Sequence, residues 1–130
     1  MFHSFKNQEE RRAFGGSAFI ELQYCKMNIG APEKKIISVN SLNHWQDDSL
    51  YVFIDDIDDF YNNYSSIFTD GLYNNMQHGE IDVFAVNYYT PLQITEIIKN
   101  IESTHPADYS VLLNWLKCSI AYNGVYILGI

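Results

Sequence analysis

Between Asp47 and Thr90 the sequence has no lysine and no arginine. The same stretch holds nine acids: Asp47, Asp48, Asp55, Asp56, Asp58, Asp59, Asp70, Glu80 and Asp82. The first 46 residues hold six basic and four acidic side chains and the last 40 hold two and three, so the central stretch carries the whole net charge of −8. A pI near 4.7 argues against non-specific phosphate binding, which Lys and Arg would have to supply, and no nucleic-acid partner is expected. Cysteine is scarce too. Cys25 and Cys118 stand far apart with no CxxC or Cys/His cluster, and both read as buried reduced thiols. No apolar run approaches about eighteen residues, and the opening MFHSFKNQEERR is too polar for a secretory signal, so no membrane partner is expected and the cytosol is the default compartment. Internal repeats, low-complexity tracts and linkers are also absent.

What is present is a folded protein. Nearly half the residues are apolar and tyrosine is plentiful, which disordered chains do not show. The length predicts a single domain over 1–130, able to bury roughly two-thirds of its unfolded surface. The organising stretch is Leu50–Tyr64, where the apolar run LYVFI stops at Asp55, Asp56, Asp58 and Asp59. Behind these acids Ile57, Phe60, Tyr61, Tyr64, Ile67 and Phe68 recur at three and four, the period of a helix with one buried stripe. The pattern predicts a central buried strand, a tight corner, and a helix capped by Asp55 or Asp56 that ends near Thr69-Asp70-Gly71. Asp58 and Asp59 fall in its first turn, where the macrodipole favours negative charge and where they should face solvent.

Met1 to Gly16 fits a short helix or an ordered arm. Ser17 to Met27 alternates as a strand with one buried and one half-wet face, and Lys35 to Asn40, after the NIGAPEK turn, reads as its hairpin partner. Leu72 to Gly79 is a connection, and Ile81 to Tyr89 a strand with Asp82 and Asn87 turned away from its apolar set. Thr90, Pro91 and Gln93 form the best helix start in the chain, followed by the stripe Ile94, Ile97, Ile98 and Ile101. Pro106 breaks that helix and opens another, with Tyr109, Leu112, Leu113, Leu116 and Ile120 on one side. Val125 to Ile130 reads as a buried strand after Asn123-Gly124. The sum is an α+β fold: a largely antiparallel sheet of about five strands with three helices packed on it.

The chemistry-bearing residues form no familiar catalytic or cofactor pattern. From Asp55, the sixth and twelfth places of an EF-hand would be Phe60 and Ser66, not Gly and Glu. HExxH, GxSxG, Walker A and Rossmann patterns do not occur, and no cofactor or metal is expected. His44 with Asp47, or His78 with Glu80, could make an acid–base pair, although loop histidines are more often satisfied by water. Tyr61, Tyr64, Tyr73, Tyr88 and Tyr89, interleaved with Asn62, Asn63, Asn74, Asn75 and Asn87, suit specific polar contacts, or else pack with only the hydroxyl exposed. Trp45 in its polar loop is either a contact anchor or folded back on the sheet edge.

These features suit a binding protein whose acidic face neutralises a basic partner. Asp55, Asp58, Asp59, Asp70, Glu80 and Asp82 would supply the field, and Trp45, Tyr61 and Tyr73 the desolvated contact. The segments IDDIDDFYNNYSSIFTDG, NYYTP, DYSVLLNWL and YNGVYILGI resemble bacterial immunity proteins of contact-dependent growth inhibition (polymorphic toxin) systems. The resemblance covers about the last 80 residues and carries no residue roles. It implies a non-enzymatic cytoplasmic inhibitor of one cognate basic toxin domain, with a nuclease as the expected target. The alternative is a small enzyme or ligand-binding domain with a Tyr/His-lined pocket.

Overall fold

The computed structural model describes residues 1–38, 42 and 45–130. Along the chain run α1 (Gln8–Phe14), β1 (Phe19–Tyr24), α2 (Glu33–Ile36), β2 (Leu50–Phe53), α3 (Ile57–Tyr64), β3 (Gly71–Leu72) and β4 (His78–Gly79). They are followed by β5 (Val86–Tyr89), α4 (Pro91–Thr104), α5 (Tyr109–Cys118) and β6 (Val125–Leu128). The strands form one antiparallel sheet in the order β2-β1-β6-β5-β3-β4. The α+β class stands, with six strands and five helices among the described residues.

On one face of the sheet, Ile20, Leu22, Tyr24, Leu50, Val52, Tyr89, Val125 and Ile127 meet the stripes of α3, α4 and α5. Those stripes are Ile57, Phe60 and Tyr64; Ile94, Ile97 and Ile101; and Leu112, Leu113, Trp115 and Leu116. The helix period therefore placed three helices on the sheet as their spacing predicts. Helix α4 starts as expected: the Thr90 side chain accepts from Gln93 N–H while Gln93 accepts from Thr90 N–H, with Pro91 at the first position. Tyr24 stacks on Trp115 at 4.2 Å and donates its hydroxyl to the Trp115 carbonyl. Helix α5 begins at Tyr109 and ends at Cys118, so Ile120 falls outside its stripe and is 91% exposed, and Cys118 is exposed rather than buried. Helix α3 also ends early, at Tyr64, although Ile67 and Phe68 stay buried in the turns beyond. A 3-10 turn over Ile54–Asp56 precedes it, and Asp56 holds the cap position without a side-chain cap bond.

Three strand expectations are corrected. Strand β2 is fully buried yet lies at the sheet edge, not in its centre. Its apolar run is explained by the N-terminal arm: His3 bridges to Tyr51 by two backbone hydrogen bonds, and Phe5 packs on Tyr51 and Phe53. The expected strand over Lys35–Asn40 is replaced at its start by α2, while 39–40 lie outside the described residues; Pro32 as N-cap favours a helical turn there. The strand expected from Ile81 shrinks to β5. Asp82 folds into a turn, accepting from Phe84 N–H at 2.9 Å, and the Asn87 amide bonds the carbonyls of Asp82, Ala85 and Ile127. Asn87 is therefore buried, not turned outward.

The second face of the sheet is covered by α2 and by α1 with the 45–49 segment, so the expected half-wet side of β1 is dry. Ile36 and Ile37 pack with Cys25, Leu72, Tyr88 and Tyr126, and the Tyr126 hydroxyl donates to the Ile36 carbonyl at 2.6 Å. Beside them lies a polar knot that sequence spacing does not reveal. The buried Glu21 carboxylate accepts from Gln23 Nε2 at 2.6 Å and from Ser49 Oγ at 2.7 Å. Burial raises its pKa from the ordinary 4.5; those two bonds and the charge of Arg11 pull the other way.

Two outcomes follow. Leu116 is wholly buried between α5 and the sheet, so Leu116→Ala should cost about 2–5 kcal/mol in chemical denaturation, and Leu113→Ala, at 9% exposure, should fall toward the lower end. A loss below about half a kcal/mol at Leu116, the usual range for surface sites, would contradict this packing. A carboxyl whose folded pKa is raised gives stability that is complete below its ordinary pKa and lost as pH rises through the folded value. Glu21→Gln should therefore gain melting temperature relative to the parent as pH rises above 4.5, and not below it. A difference that does not change with pH would mean Glu21 is solvated in the folded chain.

Candidate functional site

Helix α3 presents two diverging rows of polar residues, because positions three or four apart share a side. Asp58 and Tyr61 form one row; Asp59 and Asn63 form the other, where the Asn63 Oδ1 accepts from Ala107 N–H ahead of α5. All four carboxylates from Asp55 to Asp59 remain free of Lys or Arg ion pairs among the described residues. Tyr61 of the first row reaches the residue that follows the β3–β4 hairpin. That hairpin is closed by Tyr73 N–H to Gln77 C=O at 2.8 Å, with Met76 at a φ of 69° and Asn75 Oδ1 accepting from Gln77 N–H. Asn-rich loops tolerate such turns because the side chain bonds its own backbone.

Across the hairpin Tyr73 lies over Gly79, where a Cβ would collide with the phenol. Its hydroxyl donates to the Glu80 carbonyl, while the Tyr61 hydroxyl donates to Glu80 Oε2 at 3.1 Å. Glu80 is thus held at both ends, by a tyrosine from α3 and one from β3's continuation. Its hydrogen bond raises the Tyr61 phenol pKa, and its negative charge adds to the rise. The Tyr73 phenol is raised first by burial and then by the charges of Asp82 and Glu80. Around this centre lie the exposed Met76 and Asp82.

Asp70 sits at the mouth of β3 at a φ of 61°, its carbonyl accepting from Gln93 Nε2 at 2.8 Å. Its Oδ1 lies 3.6 Å from His78 Nδ1, so His78 faces Asp70 rather than the expected Glu80. His44 lies outside the described residues, and its pairing with Asp47 is untested. The structure therefore brings Tyr61, Tyr73 and Glu80 together, with Asp58, Asp70 and Asp82 on the neighbouring elements. It separates three of the sequence candidates from them: Asp59 lies on the other row of α3, with Asn63. Asp55 lies by the Phe14–Ala18 segment, and Trp45 stacks on Tyr51 at 5.9 Å on the opposite face of the sheet. The reading of Trp45 as folded back on the sheet edge is the one observed.

Elsewhere three lysines are paired: Lys26 with Asp48 at 2.8 Å, Lys99 with Glu96 at 3.4 Å and Lys117 with Glu102 at 3.5 Å. A groove of about 400 Å³ between α4 and α5 is lined by Ile94, Ile98, Leu116, Ile120 and Tyr122, with Lys117 at its rim. It holds one tyrosine and no histidine. Among the described residues no group of three or more His, Cys, Asp or Glu is arranged to hold a metal ion, and no helix is long and apolar enough to cross a membrane. Compared with family models, with curated proteins and with solved structures, the chain matches none.

Proposed function

We propose that this chain is an immunity protein that binds and neutralises a cognate basic toxin domain in the cytoplasm, without catalysing a reaction. The observation that carries the reading is the state of its central acids. Asp55, Asp56, Asp58, Asp59, Asp70, Glu80 and Asp82 have no Lys or Arg partner among the described residues; of the same stretch, Asp48 reaches Lys26. Exposed carboxylates left without counter-charge repel one another and add little to the fold. They do create a field that draws in a basic surface and speeds its docking. The likeness of the last 80 or so residues to immunity proteins supports the same reading.

The test is co-expression with the toxin domain encoded beside the gene for this chain. Asp58→Lys, Asp59→Lys and Asp70→Lys combined should protect cells poorly at equal expression. The purified variant should bind the toxin with a slower association rate and a flatter salt dependence. Its fold should persist, because no ion pair to Lys or Arg is lost; reversing the two first-turn acids opposes the α3 dipole by about 0.3–1 kcal/mol each. Full protection by the folded triple variant would place the interface elsewhere.

A further inference from the structure

The Tyr61–Glu80–Tyr73 arrangement has a property that a scatter of surface acids lacks. A free surface glutamate samples several rotamers and loses that freedom on binding. Here the Glu80 carbonyl is fixed by Tyr73 and one carboxylate oxygen by Tyr61, so the charge is positioned before any partner arrives. Tyr61, which orients this carboxylate, is 36% exposed. A carboxylate flanked by an exposed aromatic face is the setting that a planar cation fills: two parallel N–H bonds to the carboxylate and stacking of the plane on the ring. A lysine ammonium could take the charge interaction but neither the fork nor the stacking. The surroundings favour a cation further, since the Asp82 charge acts on the same Tyr73 phenol as Glu80 and no Lys or Arg pairs with Glu80 among the described residues.

We propose that Glu80, with Tyr61 against it, is an arginine-reading site: the place where one guanidinium of the basic partner docks. The inference rests on the reading of this chain as an inhibitor of a basic protein and names the contact that would anchor it. Tyr61 supplies the stacking face and orients the carboxylate. Tyr73 is a positioning residue that holds the backbone of Glu80, and Gly79 is required for the phenol to cross the hairpin.

The probes are two synthetic peptides of equal length, hexa-arginine and hexa-lysine, titrated into the isotope-labelled protein and followed by amide chemical shifts. The expected result is saturable movement of the Tyr61, Gly79 and Glu80 amides, with hexa-arginine binding about tenfold more tightly than hexa-lysine. Glu80→Gln, an exposed and conservative change, should abolish that preference, whereas Asp55→Asn and Asp59→Asn should each weaken both peptides equally and by about twofold. Tyr61→Phe should keep part of the preference, because the ring stays and the orienting hydroxyl goes. Equal affinity for the two peptides, or shifts spread over Asp55–Asp59 instead of the hairpin, overturns the proposal. In that event the Asp58, Asp59 and Asp70 variants still decide the inhibitor reading by cell protection. Conversely, an arginine preference in a chain that protects no cell would keep the site and remove the immunity function.

Discussion

Strand β6 holds the sheet together. It lies between β1 and β5, and its register to both is fixed over four residues on each side. Gly124, at a φ of 88°, makes the turn into it, in a place where a Cβ would strike the Tyr89 carbonyl. Three bonds lock that corner: Cys25 N–H to the Gly124 carbonyl, Asn123 N–H to the Cys25 carbonyl, and the Tyr88 hydroxyl to the Asn123 carbonyl at 2.6 Å. The pairing joins residues 21–24 to 125–128, about a hundred positions apart, so the two halves of the sheet meet only after a long loop has closed. Strand β6 is the one that joins the left pair, β2 and β1, to the right trio, β5, β3 and β4, in the ladder of the described residues.

The parts that sequence made legible are those decided by local chemistry. The Thr90-Pro91-Gln93 start, the Ile57–Phe60–Tyr64 stripe and the Val125–Leu128 strand each follow from residues within one element. The parts that were not legible are decided by what arrives from elsewhere. Whether LYVF is central or an edge depends on an arm fifty residues upstream that presents the same apolar cover a neighbouring strand would. Whether Glu21 is wet depends on Ser49 and α1. Asn87 looks like a surface residue because its four backbone partners are scattered over Asp82, Ala85 and Ile127.

The candidate site has the same division. That the central third was acidic and held no Lys or Arg could be counted from the sequence, though not that Asp48 would meet Lys26 from outside it; the carboxylates of α3 do face outward as their place in the first turn demands. Which of nine acids would be ordered could not be counted. Tyr61 and Glu80 are nineteen residues apart on a helix and a loop, and only the two-residue strands β3 and β4, read as mere connection, bring them together. Trp45, the most tempting aromatic in the sequence, went instead into the cluster of Phe5, Tyr51 and Phe53. A large ring beside an exposed apolar edge gains more from covering it than from waiting in solvent.

The two borders of the sheet are guarded in different ways. At the far end, β4 is two residues long, too short to template another chain. At the near end, β2 is a four-residue apolar strand preceded by Ser49 and followed by Ile54, with no charge and no proline, the composition of a self-associating segment. Among the described residues the His3 bridge covers its free edge, and Phe5, Phe14 and Trp45 pack on its rings. Peeling that short arm away would bare the backbone edge and the rings of β2 together, turning a covered border into one on which another chain could pair.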